Sequence, residues 1–153
     1  MPEVISKGVN PTHKIQFGVC ITGRPEELTT AEYTVVKDAE SLNVSVDGGT
    51  ESWNPMDQEG WARNLMTSKS LSISMGGKRN YGDPGNDYVA GLFLKMGQDC
   101  NSAMKITFPN GDSLYIPCVI NVTSVGGDST SVEALEWEVV SDGKPEYVGY
   151  SAA

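Results

Sequence analysis

KITFPNGDSLYIPCVINV, residues 105–122, followed by VEALEWEVV at 132–140, decides how this chain folds. Apolar and polar residues alternate on both sides of Asn110-Gly111, and the run at 132–140 repeats the pattern. Alternation with a period of two turns one face of a strand toward a core and the other toward water. Asn-Gly supplies the positive-φ positions that a tight two-residue hairpin turn needs, so the flanking strands pair antiparallel. The stretch therefore predicts a β-meander. In its last strand Leu135, Trp137 and Val139 share one face, and Glu136 and Glu138 share the other, which is locally acidic. Pro117 removes a ladder donor and predicts a bulge or an edge within 113–122.

Upstream, SLNVSVD at 41–47 sets Leu42, Val44 and Val46 against Ser41, Asn43, Ser45 and Asp47, and at 70–75 Leu71, Ile73 and Met75 alternate with serines. Both read as strands wet on one side, and further strands are expected at 14–22 and 32–37. Between them GGTESWNPMDQEG, 48–60, reads as a long connection that carries Trp53 and runs into Trp61. Structureless connections beyond roughly 12–15 residues are uncommon in compact domains and are usually functional or disordered. Its tryptophan either folds back on its own domain or meets another subunit. A single helix is expected over 84–96, capped by Asp83, with Pro84 at its first position and Gly97 as a left-handed stop. Val89, Leu92, Phe93 and Met96 would form its buried stripe.

The 153 residues suit one domain, and 17 glycines with 8 prolines make it turn-rich without a disordered composition. The organisation read from the sequence is an N-terminal arm at 1–12, a domain at 13–145 and a C-terminal arm at 146–153. A net charge of −9, with no basic cluster beyond Lys78-Arg79, argues against a nucleic-acid grip, which needs cations to displace counterions from phosphate. Cys20, Cys100 and Cys118 lack zinc-binding spacing and read as idle thiols in a reducing compartment. No apolar run approaches the ~20 residues of a membrane span, and the N-terminus lacks a signal-type apolar region. The sequons at Asn43 and Asn121 fall within expected strands and read as chance matches.

Little chemistry is written here. The only histidine, His13, lies beside the N-terminal arm, so serine- or cysteine-based catalysis lacks a base. Gly76-Gly77-Lys78-Arg79 fails as a phosphate loop, because Ser72 stands where the first glycine belongs and Arg79 replaces the hydroxyl residue. Asp83, Asn86 and Asp87 lack the regular ligand spacing of a calcium loop, and capping accounts for Asp83. No enzyme activity, catalytic residue, metal or cofactor is expected.

GWARNLMTSKSLSISMGG at 60–77 and AMKITFPNGDSLYIPCVINVTSVGGDSTSVEALEWEVVSDGKP at 103–145 resemble the major tail tube proteins of long-tailed, lambda-like, non-contractile bacteriophages. The ordered pattern of strand, long loop, strand, helix and meander extends the resemblance over residues 32–145. It implies a mainly β fold, an antiparallel β-sandwich or partial barrel with one flanking α-helix. It also implies a structural virion protein whose hexameric rings stack into a hollow tail through which DNA is ejected without specific binding. Such a protein is made and assembled in the host bacterial cytoplasm. The implied partners are further copies of the chain, a tape-measure protein in the lumen, and tail initiator and terminator proteins at the ends. Because the sequence stops near 153, no appended immunoglobulin-like domain is expected. On this reading Glu136 and Glu138 face the lumen, and Trp53, Asn54, Met56 and Trp61 make contacts between subunits, with the loop ordering as rings stack. The competing readings are the inner tube of a contractile tail, tailocin or type VI secretion-like system, and a carbohydrate-binding β-sandwich with Trp53 and Trp61 as its platform.

Overall fold

The computed structural model describes residues 8–149; residues 1–7 and 150–153, which hold much of the expected N-terminal arm and the end of the expected C-terminal one, lie outside the described residues. Among the described residues the strands are β1 (Gln16–Val19), β2 (Ala39–Trp53), β3 (Arg63–Lys78), β4 (Asn101–Thr107), β5 (Ser113–Gly126), β6 (Ala134–Ser141) and β7 (Glu146–Val148), and the single α-helix is α1 (Pro84–Ala90). They form one open, antiparallel seven-stranded sheet in the order β1-β4-β5-β6-β3-β2, with β7 also against β5. The mainly β, antiparallel fold with one helix is the expected one. The region 32–37 contributes only a bridge, Thr34 to Val19. Glu146–Val148, expected to begin an arm, are instead paired as β7.

The meander β4-β5-β6 forms as the alternation requires, but its first turn is built differently from the expected one. Gly111 has φ 95°, whereas Asn110 is not among the residues with positive φ. The Phe108 amide donates to the Asp112 carbonyl and the Gly111 amide to the Phe108 carbonyl, both at 2.9 Å, which closes a three-residue loop around Pro109-Asn110-Gly111. In a two-residue turn Pro109 would pair with Asp112 but has no N–H to donate, so Phe108 makes the closing bond instead and only the glycine goes left-handed. Pro117 lies where the partner of β5 on one side changes from β7, at residues 113–115, to β6, from Cys118 onward. Its missing donor falls in that gap, while the strand's register shift comes later, between Val122 and Ser124.

One cluster unites the alternating apolar faces: Val19 from β1, Ile73 and Met75 from β3, Met104 and Ile106 from β4, Ile116 and Ile120 from β5, and Leu135, Trp137 and Val139 from β6. Val89 and Leu92 close it from the helical side. The helix stops six residues short of the expected end. Gly91 still has helical angles, but beyond it Leu92, Phe93 and Lys95 donate to carbonyls three residues back, a tighter winding that ends the α-helix. Phe93 and Met96 leave the apolar stripe as a result and stand 55% and 83% exposed. The Asp83 cap holds as expected, its carboxylate accepting from the Asn86 amide at 3.0 Å.

A polar knot ties this helix to the sheet. Asn86, 1% exposed, accepts through Oδ1 from Arg79 Nη1 at 2.9 Å and the Asn80 amide at 3.0 Å. Its Nδ2 donates to the carbonyls of Lys37 at 3.1 Å and Lys78 at 3.0 Å. Substituting Asn86→Leu strands these backbone groups without partners and should cost roughly 2–4 kcal/mol. Urea denaturation checks this as a lowered midpoint at unchanged slope.

Burial also leaves the protein sensitive to alkali. It pushes the Cys118 thiol from 9.0 up to about 12, against a smaller lowering by Arg24. Burial likewise lifts Tyr33 from 10.0 to about 12, while its hydroxyl donates to the Leu28 carbonyl at 2.6 Å. Raised folded-state values mean that the folded chain keeps protons the unfolded chain releases. The resulting stability is complete below about pH 9 and is lost as the pH rises through 12. A circular-dichroism titration should therefore show stability falling between those values and flat from pH 7 to 8.5.

Candidate functional site

The first six residues of the expected loop at 48–60 are strand. β2 runs on to Trp53 and β3 starts at Arg63, giving a hairpin with continuous pairing from Ala39–Gly77 out to Trp53–Arg63. Periodicity failed there for an identifiable reason. A register shift between Gly49 and Thr50 pairs Gly49 with Ser68 and Thr50 with Met66, leaving Thr67 as the extra residue. Beyond it each β3 side chain changes face. Met66 swings onto the face of Leu71 and Val46, and a Cβ at Gly48 would meet its sulfur at 2.5 Å. Leu65 then joins Glu51 and Trp53 on the opposite face.

No residue from 45 to 70 is buried, so this half of the hairpin projects from the domain with apolar side chains on both faces. The two tryptophans of the sequence reading do stand here: Trp53 is 42% exposed, with the Arg63 guanidinium 5.7 Å from its ring, and Trp61 is 77% exposed. Met56 is fully exposed at the tip, and Asn54 donates to the Gly60 carbonyl at 2.8 Å, bracing the turn. Leu65 and Met66, each more than half exposed, belong to the same surface and escaped the sequence reading because the bulge breaks their alternation.

Two unlike stretches of open strand edge flank one part of the sheet among the described residues. β2 ends the strand order and, among the described residues, pairs only with β3, so its outer edge is unpaired there through fifteen residues. On the far side, β4 covers β5 only as far as Val119, which leaves residues 120–126 unpaired on that side among the described residues. Between these edges β5, β6, β3 and β2 form a four-stranded segment whose outer face is small and polar. One cross-strand row is Ser124, Glu136, Gly76, Ser41, and the next is Asn121, Glu138, Ser74, Asn43. Both glutamates lie on this face, opposite Leu135, Trp137 and Val139. Lys78, at the end of the same face, is held by Glu40 at 3.0 Å. The face is acidic and free of large side chains near the glutamates.

His13 sits exposed in a single 3-10 turn. Asp83 is taken up by the helix cap, and Asp87 pairs with Arg79 at 2.8 Å. Among the described residues no cluster of three or more His, Cys, Asp or Glu is placed to hold a metal ion, and no helix is long and apolar enough to cross a membrane.

No family model matches the chain, and no curated protein matches it. Solved structures do. The chain is similar to a protein of the tail of an empty gene transfer agent particle, determined by helical refinement with C6 symmetry, with a TM-score of 0.69 and 15% identity over 92% of this chain and 100% of the other. It is equally similar to a protein in the virion of a native gene transfer agent particle, with the same TM-score, identity and coverage. At that identity the likeness is one of fold.

Proposed function

We propose that this chain is the structural subunit of a phage-type tail tube, assembling into six-membered rings that stack into a hollow conduit for DNA ejection. The observation that carries this is the pair of unlike open edges on one four-stranded segment. Four antiparallel strands bring the β2 edge of one copy alongside the β5 edge of the next in antiparallel sense, so the sheet can continue from subunit to subunit. A heterologous joint of this kind closes into a ring when its rotation divides a full turn. Six subunits is the number favoured by the C6 symmetry of the similar tail. Ring closure also removes the hazard of open edges. The likeness of fold to two tail and virion proteins supports the same reading.

In such a ring the polar face carrying Glu136 and Glu138 lines the channel. Phosphates passing an anionic wall find no cations on which to release counterions, so DNA slides without sticking. The projecting hairpin, with Trp53, Asn54, Met56 and Trp61, supplies contacts between stacked rings. The narrower form of the proposal is a non-contractile, lambda-like tail, with the protein assembled in the bacterial cytoplasm, a tape-measure protein in the lumen, and initiator and terminator proteins at the ends. A sheath gene beside this one would move it to a contractile device. The proposal assigns no enzymatic step to the chain.

Negative-stain microscopy of the concentrated protein tests it: hollow tubes with six-fold end views are expected, and dispersed monomers at all concentrations would refute it. For the lumen assignment, the Glu136→Lys, Glu138→Lys double variant should still assemble but lower DNA delivery by roughly tenfold or more, since each added cation binds phosphate. Unchanged delivery would remove these residues from the channel wall.

A further inference from the structure

Where the apolar face of the sheet runs out from under its cover, the base of the hairpin forms a groove of about 500 Å³ lined by Val46, Lys69, Leu71, Ser141, Lys144 and Pro145. Its floor is apolar: Val46 is paired with Leu71, the two continue the core row of Val44 and Ile73, and Val46 is left 54% exposed. Its rim is cationic. Lys69 and Lys144 are exposed, and neither joins an ion pair among the described residues. In a chain of net charge −9, an apolar slot flanked by lysines is unusual and selects its occupant by charge.

We propose that this groove receives the hairpin tip of a second copy of the chain. The tip has the complementary make-up: fully exposed Met56 and 77% exposed Trp61 beside Asp57 and Glu59, neither of which is ion-paired among the described residues. The apolar pair fills the slot over Val46 and Leu71, and the two carboxylates meet Lys69 and Lys144. A chain cannot satisfy its own groove in this way, because the tip lies beyond Trp53, about 23 Å of extended strand from Val46. Tip and groove are different surfaces, so the contact is head-to-tail and, joining copies in successive rings, propagates along one direction where its rotation does not close. That makes it the joint between rings, distinct from the edge-to-edge joint within them. The inference rests on the tail-tube reading and names the receptor that reading leaves open.

Three variants test it by charge exchange. Lys69→Glu with Lys144→Glu, and separately Asp57→Lys with Glu59→Lys, should each raise the critical concentration for tubes by roughly tenfold or more, since attraction at the rim becomes repulsion. All four changes in one chain should restore assembly toward that of wild type. A second measurement mixes Val46→Cys and Met56→Cys copies under oxidising conditions, with a disulfide-linked pair expected in the mixture and absent from either variant alone. Wild-type tubes whose four-fold variant assembles no better than the two-fold ones, and whose mixed copies never cross-link, overturn the groove assignment and leave the tube reading standing. If the groove is instead filled by the chain's own C-terminal residues, deleting 150–153 should enhance the cross-link, and tip reversal should leave assembly unchanged, which also overturns it. Wild-type protein that never assembles overturns both.

Discussion

Replacing residues 50–67 with an Asn-Gly turn between Gly49 and Ser68 should abolish tube formation while leaving a folded, soluble monomer. The pair Gly49–Ser68 is already in register, so a two-residue turn can close the shortened hairpin there. Nothing in the deleted segment is buried, and none of its residues belongs to the core cluster or packs against it. Stability should therefore stay close to wild type, with Tm moving by no more than about 5 °C. Assembly should behave otherwise. The segment holds Trp53, Trp61, Met56, Leu65 and Met66, the apolar surface that in an isolated subunit stays in water on both faces of the hairpin. A surface of that kind marks a site of association, and a stacked tube is one in which every subunit covers it. Size-exclusion chromatography with circular dichroism would establish the folded monomer, and microscopy the absence of tubes. Tubes of normal length from the shortened chain would show that the hairpin is not a stacking element.

The Trp137→Ala variant should unfold the protein or bring it to the edge of unfolding. Trp137 is 3% exposed at the centre of β6, paired with Met75 on β3 and Val122 on β5, and it belongs to the main core cluster. Truncation removes the largest side chain of that cluster and leaves a cavity its strand-bound neighbours cannot close, a loss of about 3–5 kcal/mol. Against a total stability of roughly 5–15 kcal/mol for a domain, between about a fifth and all of the folding free energy goes. Urea melts of Trp137→Ala beside Trp61→Ala make the contrast sharp. The exposed Trp61 should change stability by no more than about 0.5 kcal/mol. Its variant should fail in assembly instead, so two substitutions of the same residue type separate folding from function.

Much of the fold could be read from local pattern because the pattern and the environment agree. Leu135, Trp137 and Val139 alternate with Glu136 and Glu138, and burial follows that alternation residue by residue. Asp83-Pro84 announces the helix start and caps it through its carboxylate. The misreadings have equally local causes. Pro109 excludes the two-residue turn, Gly91 is followed by tighter winding that ends the helix before Phe93, and the Thr67 bulge hides the outer half of the hairpin from any search for period two. The last of these mattered most, since it made a paired hairpin look like a loose connection.

The sequence alone determined the meander and the acidic strand face, because alternation and charge are properties of residue type and spacing. It also marked Trp53 as a loop side chain that either folds back on its own domain or meets another subunit. Only the tertiary structure decided that β2 and β5 present unlike open edges, and that Lys69 and Lys144 flank one groove, Lys144 lying 75 positions further along the chain. Edges and grooves arise from which strands pair and where the pairing ends. That depends on contacts between distant segments, for which no single stretch of this chain carries a signal.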